Sequence, residues 1–374
     1  MRIDRLRVFD VNLPLVHGFE TSSHRKTGLN HLLVEATGAD GLVGWGEIAT
    51  PSDPFYGSET TRAAWAIAER YLVPVVLGAT WEAPEELEAT WRRIRGHEFA
   101  KAGFSIAAWD LYAQAGDRSL ASALGGTRTE VVAGVSLGIE PTLDELLTQV
   151  ARQVDAGYGR VKLKIAPGWD VEPVRVVRAA YPDLDLHVDA NGAYPESDES
   201  TAVMRAIDAQ RLTMIEQPFA PRDFVAHARL QSVLDTPICL DESVVDVADL
   251  HTMLALDAGR VLNIKVSRMG GLTAARRAHD IARDAGVPVW CGGMHEFGVG
   301  RAANVALSSL PGFTLPSDVS GSDKYYARDV IVPPVIARDG VVQVPTGPGM
   351  GHHVDVDWVL RNSSRTLDTS AAAA

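Results

Sequence analysis

Cysteine is scarce in this chain: among 374 residues there are two, Cys239 and Cys291. A disulfide framework and a cysteine-built zinc site are therefore excluded. Both residues sit in apolar runs, which predicts buried thiols in a reducing cytoplasm. No apolar run approaches the roughly 18 residues needed to cross a bilayer. Positive charge is in deficit, with 35 Lys and Arg against 48 Asp and Glu, a net charge of -13 and a pI near 5.3. That balance argues against nucleic acid or an anionic membrane surface as partner. No glycine-rich dinucleotide fingerprint follows any strand-like run. The first residues, Met1-Arg2-Ile3-Asp4-Arg5, alternate charged and apolar side chains and read as a strand, not a signal peptide.

The apolar content, 46%, suffices for one large core or two domains. Residues 1–125 carry β-prone runs at Arg2 to Leu13, His31 to Thr37 and Leu42 to Ile48, with a hairpin signal at Ala39-Asp40-Gly41. Helical patterns follow from about Ser58 to Val76, Pro84 to Gly96 and Ala100 to Ala115. Strands first and helices after indicate an α+β domain. Two of its loops, 17–28 and 50–58, hold aromatic residues in polar surroundings and are candidate lids.

From Glu130 the chain becomes a ladder. Short apolar runs end in a polar residue, and a capped helix follows each. The runs are Val131–Val135, Val161–Ile165, Leu184–Val188, Leu212–Ile215, Pro237–Leu240, Val261–Ile264, Val287–Trp290 and Phe313–Leu315. Thr142 with Glu145 forms a capping-box pattern. Eight βα units at this spacing predict the α/β class, a parallel barrel with functional residues at the C-terminal strand ends. An open doubly wound sheet is the alternative. The expected division is a capping domain at 1–125, a barrel at 126–320, a segment at 321–365 returning to the cap, and a disordered tail at 366–374.

The chemistry centres on Val161-Lys162-Leu163-Lys164-Ile165. On a strand, the two lysines share a face, and such a pair calls for negative partners. Asp189, Glu216 and Asp241 close the next three runs, and Lys265 closes the one after. Three converging carboxylates repel and take up protons unless a cation lies among them. Oxygen-only ligands suit Mg²⁺ or Mn²⁺ better than Zn²⁺. Around a barrel, Lys164 and Lys265 flank the acids from opposite sides. Lysine, with a pKa of about 10.4, needs help to act as a base. A divalent cation and neighbouring charges, Lys162 for Lys164 and Arg268 for Lys265, would disfavour the ammonium form. Proton removal from a carbon next to a carboxylate then becomes feasible, with the metal stabilising the enolate. Two opposed bases give racemisation; one base with a leaving group gives β-elimination. Structural ion pairs are the bland alternative. A Schiff-base aldolase or lyase using Lys265 as nucleophile and a metal-bound binding protein are the others.

Val161-Lys162-Leu163-Lys164, Val188-Asp189-Ala190-Asn191, Ile215-Glu216-Gln217-Pro218, Leu240-Asp241-Glu242-Ser243 and Ile264-Lys265 with Gly270-Gly271 resemble the enolase superfamily, muconate-lactonizing subgroup. Within it, the chain is most similar to the N-acylamino-acid racemase / o-succinylbenzoate synthase family, through stretches such as Pro167-Gly168-Trp169-Asp170 and Trp290-Cys291-Gly292-Gly293-Met294. The resemblance implies a (β/α)7β TIM-like barrel with an α+β capping domain. It implies Asp189, Glu216 and Asp241 as Mg²⁺ ligands (Mn²⁺ or Co²⁺ substituting) and Lys164 and Lys265 as the acid/base pair. Lys162 would hold the substrate carboxylate and tune Lys164. Ser136, Asn191, Phe19, Tyr56, Met294 and His295 would line the substrate, with Arg268 and Glu242 behind. The implied activity is racemisation of N-acyl, in particular N-succinyl, amino acids. Syn-dehydration to o-succinylbenzoate, in menaquinone biosynthesis, is the alternative or shared activity. A cytoplasmic homo-oligomer, dimer or octamer, acting on a small carboxylate is implied too. His295 stands where family members more often carry an aliphatic residue; it either meets a polar acyl group or caps the next helix.

Overall fold

The computed structural model describes residues 1–22 and 25–371. Its N-terminal layer is an antiparallel sheet of β1 (Ile3–Glu20), β2 (Arg25–Gly38), β3 (Val43–Ile48) and a fourth strand from the far end of the chain. Alternation on β1 serves two cores. Leu6 and Val8 face the capping helices, whereas Phe9, Val11 and Leu13 join the main core that includes the barrel. The helix Glu98–Ala115 lies against β3. A Cβ on Gly46 would stand 1.8 Å from the Gly103 carbonyl oxygen, so this crossing tolerates no side chain there.

Several boundaries differ from the sequence reading. The helix expected over 58–76 begins at Thr61 and contains a wide π turn at Ala68–Leu72. The next helix stops at Ala89 and gives way to turns. The expected loop 17–28 is mostly hairpin: β1 runs to Glu20, β2 starts at Arg25, and Phe19 pairs with Lys26. Ser23 and His24 lie outside the described residues. The polar composition suggested a loop, but paired strands satisfy the same backbone groups.

The ladder is a seven-stranded parallel sheet: β5 (Val135–Leu137), β6 (Arg160–Lys164), β7 (Asp185–Asp189), β8 (Ile215–Glu216), β9 (Ile238–Leu240), β10 (Val261–Ile264) and β11 (Val289–Cys291), ordered sequentially. The eighth run bridges its two edges through Val289–Phe313 and Ala133–Ser317 contacts. The barrel therefore closes with no regular eighth strand. The first run also splits: β4 (Glu130–Val132) leaves the barrel to pair with β13 (Val341–Gln343), and Ser136 sits in the middle of β5. Five of the barrel helices start at side-chain caps, from Thr142, Asp170, Ser197, Asp223 and Asp246, each satisfying an otherwise orphaned amide.

Outward apolar residues such as Val161, Leu163 and Ile165 are buried under these helices, each contributing about 1.5–3 kcal/mol. Inside, Met214, Cys239, Val261 and Trp290 form a separate apolar cluster. It underlies the polar level where the strands end. Both cysteines are buried and free.

After the barrel, β12 (Ile331–Val332) pairs with β14 (His353–Val354), and β13 with β4. These runs do not return to the cap as expected. The return is made by β15 (Ser363–Ser370), the fourth strand of the capping sheet, paired with β1 from Arg5–Ser370 to Val11–Ser363. Residues 366–370 are thus ordered. Their polar alternation reads as a tail, yet it suits a solvent-facing edge strand, with Arg5 bonded to Asp368 at 2.8 Å and Arg365 to Asp10 at 2.8 Å. Residues 372–374 lie outside the described region. No helix among the described residues is long and apolar enough to cross a membrane.

Candidate active site

Register assembles the site. Lys164 pairs with Asp189, Asp189 with Glu216, and Glu216 with Cys239. Paired residues in a parallel ladder point to one side, so β6, β7 and β8 bring Lys164, Asp189 and Glu216 to one level. Asp241 lies two residues beyond Cys239 and one beyond the end of β9, and Lys265 one beyond the end of β10. The three acids are 0–1% exposed.

Lysines engage each of them. Lys164 Nζ donates to Asp189 Oδ2 at 2.5 Å and to Asn191 Oδ1 at 2.7 Å. Lys162 Nζ stands 3.2 Å from Glu216, 3.5 Å from Asp189 and 3.0 Å from Asp318, and 4.7 Å above the Trp290 ring. Lys265 Nζ donates to Asp241 Oδ2 at 2.7 Å. Arg268 bonds Asp241 from behind and donates to the Val244 carbonyl at 2.8 Å. Tyr56, from the second lid loop, donates to Asp241 Oδ1 at 2.9 Å.

Burial pushes Glu216 up to about 7, with Asp189 adding to the rise and Lys162 opposing it. Burial and Asp241 bring Glu242 to about 8. Asp241 itself is drawn down to about 2, because Lys265 and Arg268 outweigh burial. Lys162 is raised, as Asp318, Glu216 and Asp189 overcome burial. Lys265 is also raised well above the ordinary lysine range: burial lowers it, but Asp241, Tyr56 and Glu242 raise it more than Arg268 lowers it. The sequence had suggested depression by Arg268. A carboxylate in contact outweighs that cation.

The donor set fits a hard divalent cation: three buried carboxylates from neighbouring strand ends. As they stand, no three His, Cys, Asp or Glu side chains among the described residues converge closely enough to hold one. Asp189 and Glu216 are bridged by Lys162, and Asp241 turns to Lys265. These ligands would have to swing from their lysines.

A small cavity, ≈ 60 Å³, is lined by Lys162, Lys164, Lys265, Ser136, Asn191, Phe19, Tyr56, Met294 and His295, and also by Glu242, which was expected behind the site, and by Lys26 and Asp318. One water needs about 10–15 Å³, so there is room for roughly four. At Phe19 and Ser136 the cavity meets a groove of ≈ 630 Å³. His295 does not cap the following helix, Gly298–Ser308. Glu47 of β3 does so, accepting from the Phe297 amide at 2.8 Å and the Gly300 amide at 2.7 Å.

The sequence reading missed Asp318, Arg160 and Asn263. Asp318 accepts from Ser136 Oγ at 2.9 Å and pairs with Arg160 at 2.8 Å. Asn263 donates to Glu216 at 2.6 Å. A signal existed for two of them: Arg160 alternates with Lys162 and Lys164, and Asn263 with Lys265, so parity alone places them inward. Gln217, φ 39°, was missed as well. Its side-chain oxygen accepts the Asp241 amide at 3.0 Å and its nitrogen donates to Ser243 at 2.7 Å, which sets the end of β9.

Residues 145–358 match the family model described as enolase C-terminal domain-like. Residues 4–125 match the mandelate racemase / muconate lactonizing enzyme N-terminal domain. The chain belongs to the enolase superfamily. It is 47% identical over 330 residues to an o-succinylbenzoate synthase of Geobacillus kaustophilus, covering 88% of each chain. It is 43% identical over 361 residues to an N-succinylamino acid racemase of Thermus thermophilus, covering 96% of this chain and 97% of the relative. A solved Listeria innocua member of the superfamily superposes with a TM-score of 0.95 at 36% identity, covering 99% of each chain. The barrel-and-cap architecture implied by the motifs is therefore the fold of this chain, and as a member of this superfamily it is an enzyme.

Proposed function

We propose that the protein racemises N-acyl amino acids, N-succinyl ones in particular, by two-base 1,1-proton transfer. The observation that carries this reading is the placing of Lys164 and Lys265. They line one cavity from strands on either side of the acid-bearing ones. Asp189, Glu216 and Asp241 would hold Mg²⁺, with Mn²⁺ or Co²⁺ as substitutes. When bound, the cation would offer positive charge to the substrate carboxylate as negative charge develops there. Lys164 Nζ, steadied by Asn191 Oδ1, takes the α-proton from one face of the substrate carbon. Lys265 Nζ delivers a proton to the other face, and the reverse direction exchanges their roles. Lys162, tied to three carboxylates, stays a fixed cation. Tyr56 and Phe19 shield the cavity from water, which protects the carbanionic intermediate from stray protonation.

A second reading has support from the relatives named o-succinylbenzoate synthase at 47% and 44% identity. There Lys164 alone would remove the proton and return it to the hydroxyl of the neighbouring carbon, which would leave as water from the same face. A screen of N-succinyl and N-acetyl amino acids for α-proton exchange in D₂O, with the dehydration substrate in parallel, tests both readings. Exchange abolished by EDTA and restored by Mg²⁺ is expected. Activity that survives EDTA and is trapped by borohydride would instead indicate a Schiff base on Lys265.

A further inference from the structure

One lysine of the cavity has no part in this chemistry. Lys26 projects from β2 into the same space as Lys162, Lys164 and Lys265. Each of those three has a carboxylate within 3.0 Å. Lys26 has no ion pair or hydrogen bond among the described residues, and Asp53 acts on it only at longer range. His295 lines the same cavity. Phe19, the ladder partner of Lys26, packs edge-on against the His295 ring with centroids 4.4 Å apart, and Tyr325 stacks on that ring at 4.9 Å. His295 sits at φ 62°, in the left-handed region that few non-glycine residues adopt without a tertiary reason. Its Nδ1 is buried without a partner. Lys26 from the cap and His295 from the loop after β11 thus line one cavity. Buried polar groups are ordinarily satisfied, which leaves His295 Nδ1 to be explained, while Lys26 is half-buried and its ammonium is open to water or to a ligand.

We infer that Lys26 and His295 form a second anion site, which binds a carboxylate at the end of the substrate remote from the α-carbon. This rests on the reading above, in which the first carboxylate lies at the Asp189, Glu216 and Asp241 end. Burial, Lys164 and Lys265 all bring Lys26 down, to about 8. An anion brought against it relieves that strain. His295, held neutral by burial and by Lys26 and Lys324, retains one N–H for the same carboxylate. The geometry selects a dicarboxylate over a substrate with a neutral acyl end. Lys26 also couples recognition to the cap, because it is carried by the hairpin that closes one wall of the cavity.

The test uses two substrates that differ only at the far end: an N-succinyl amino acid and its N-succinamoyl counterpart, in which an amide replaces the terminal carboxylate. The full-length protein with Mg²⁺ is expected to favour the dicarboxylate in kcat/KM. Lys26→Met should reduce that preference by about thirtyfold, the scale of one charge-assisted hydrogen bond. Lys26→Arg should restore most of it. Equal losses on both substrates, or no preference in the unaltered protein, would overturn the inference. If neither compound shows α-proton exchange, the racemase reading fails by itself. Calorimetric titration then decides the anion site. N-succinylglycine binding that weakens in Lys26→Met more than N-succinamoylglycine binding supports the site, and parallel weakening overturns it.

Discussion

Glu47 is the point at which the capping domain grips the loop that carries Met294 and His295. One carboxylate oxygen accepts the Phe297 amide at 2.8 Å and contacts His31 Nδ1 at 2.7 Å, and the other accepts the Gly300 amide at 2.7 Å. Glu47 is 0% exposed and His31 1%, so water cannot replace these bonds. Glu47→Ala strands two amides and an imidazole. At about 1–3 kcal/mol for each buried group left unsatisfied, with some relaxation, the loss is about 4 kcal/mol. Unfolding entropy near 2.1 cal/mol/K per residue gives about 0.8 kcal/mol/K for a chain of this length, so Tm should fall by about 5 °C. Glu47→Gln keeps one acceptor and should lose about half as much. Differential scanning calorimetry measures the shift, and hydrogen exchange locates it: amides at 295–301 should open first, since the helix N-terminus there loses its cap. A shift below 1 °C, or exchange that rises elsewhere and not at 295–301, would refute the assignment of Glu47 as the latch.

Three further outcomes follow from the geometry. Lys164→Ala and Lys265→Ala should each abolish racemisation by 10²-fold or more, while each keeps α-proton exchange for one enantiomer only; loss of exchange for both enantiomers in either variant would remove the two-base arrangement. Asp318→Asn deprives buried Arg160 and Lys162 of a charged partner, and should cost about 3 kcal/mol by chemical denaturation; a variant as stable as the parent would show that the pairing is not structural. Asp110, buried and bonded to the Trp45 and Met350 amides, is raised by burial to about 6. Its folded-state pKa exceeds the unfolded value, so its contribution is complete below about pH 4 and is lost as pH rises through about 6. That loss is about 3 kcal/mol, at about 1.36 kcal/mol per pKa unit, and Asp110→Asn should flatten the stability profile over this window; an unchanged slope would contradict it.

Much of the fold and the centre of the site were legible because strands have period two. Lys162, Lys164, Asp189, Glu216, Asp241 and Lys265 could be set on one side of a parallel ladder from spacing alone, and the observed register does set Lys164, Asp189 and Glu216 at one level. The same parity covers Arg160, which stands just before the apolar run Val161–Ile165, and Asn263, a neutral side chain inside the run Val261–Ile264. Asp318 was harder, since its run forms only isolated bridges. Loop composition misled twice. The stretch 17–28 is mainly paired strand, and 366–370, expected as a tail, belongs to the edge strand Ser363–Ser370.

The sequence by itself determined which side chains point inward, because that depends only on local periodicity and on the signals that end each run. It determined the superfamily for the same reason, as its motifs are strand ends at fixed spacing. Only the tertiary structure decided which inward groups touch. Lys162 meets Asp318 across 156 positions of chain, Glu47 caps a helix about 250 residues away, and Lys265 is raised and not lowered because Asp241, Tyr56 and Glu242 together outweigh burial and Arg268. Electrostatic energy depends on ångströms and burial, and neither is written in the spacing of a sequence. The placing of Lys26 and His295 in one cavity belongs to that second kind: two residues from different domains come to line one space only once the cap has folded onto the barrel.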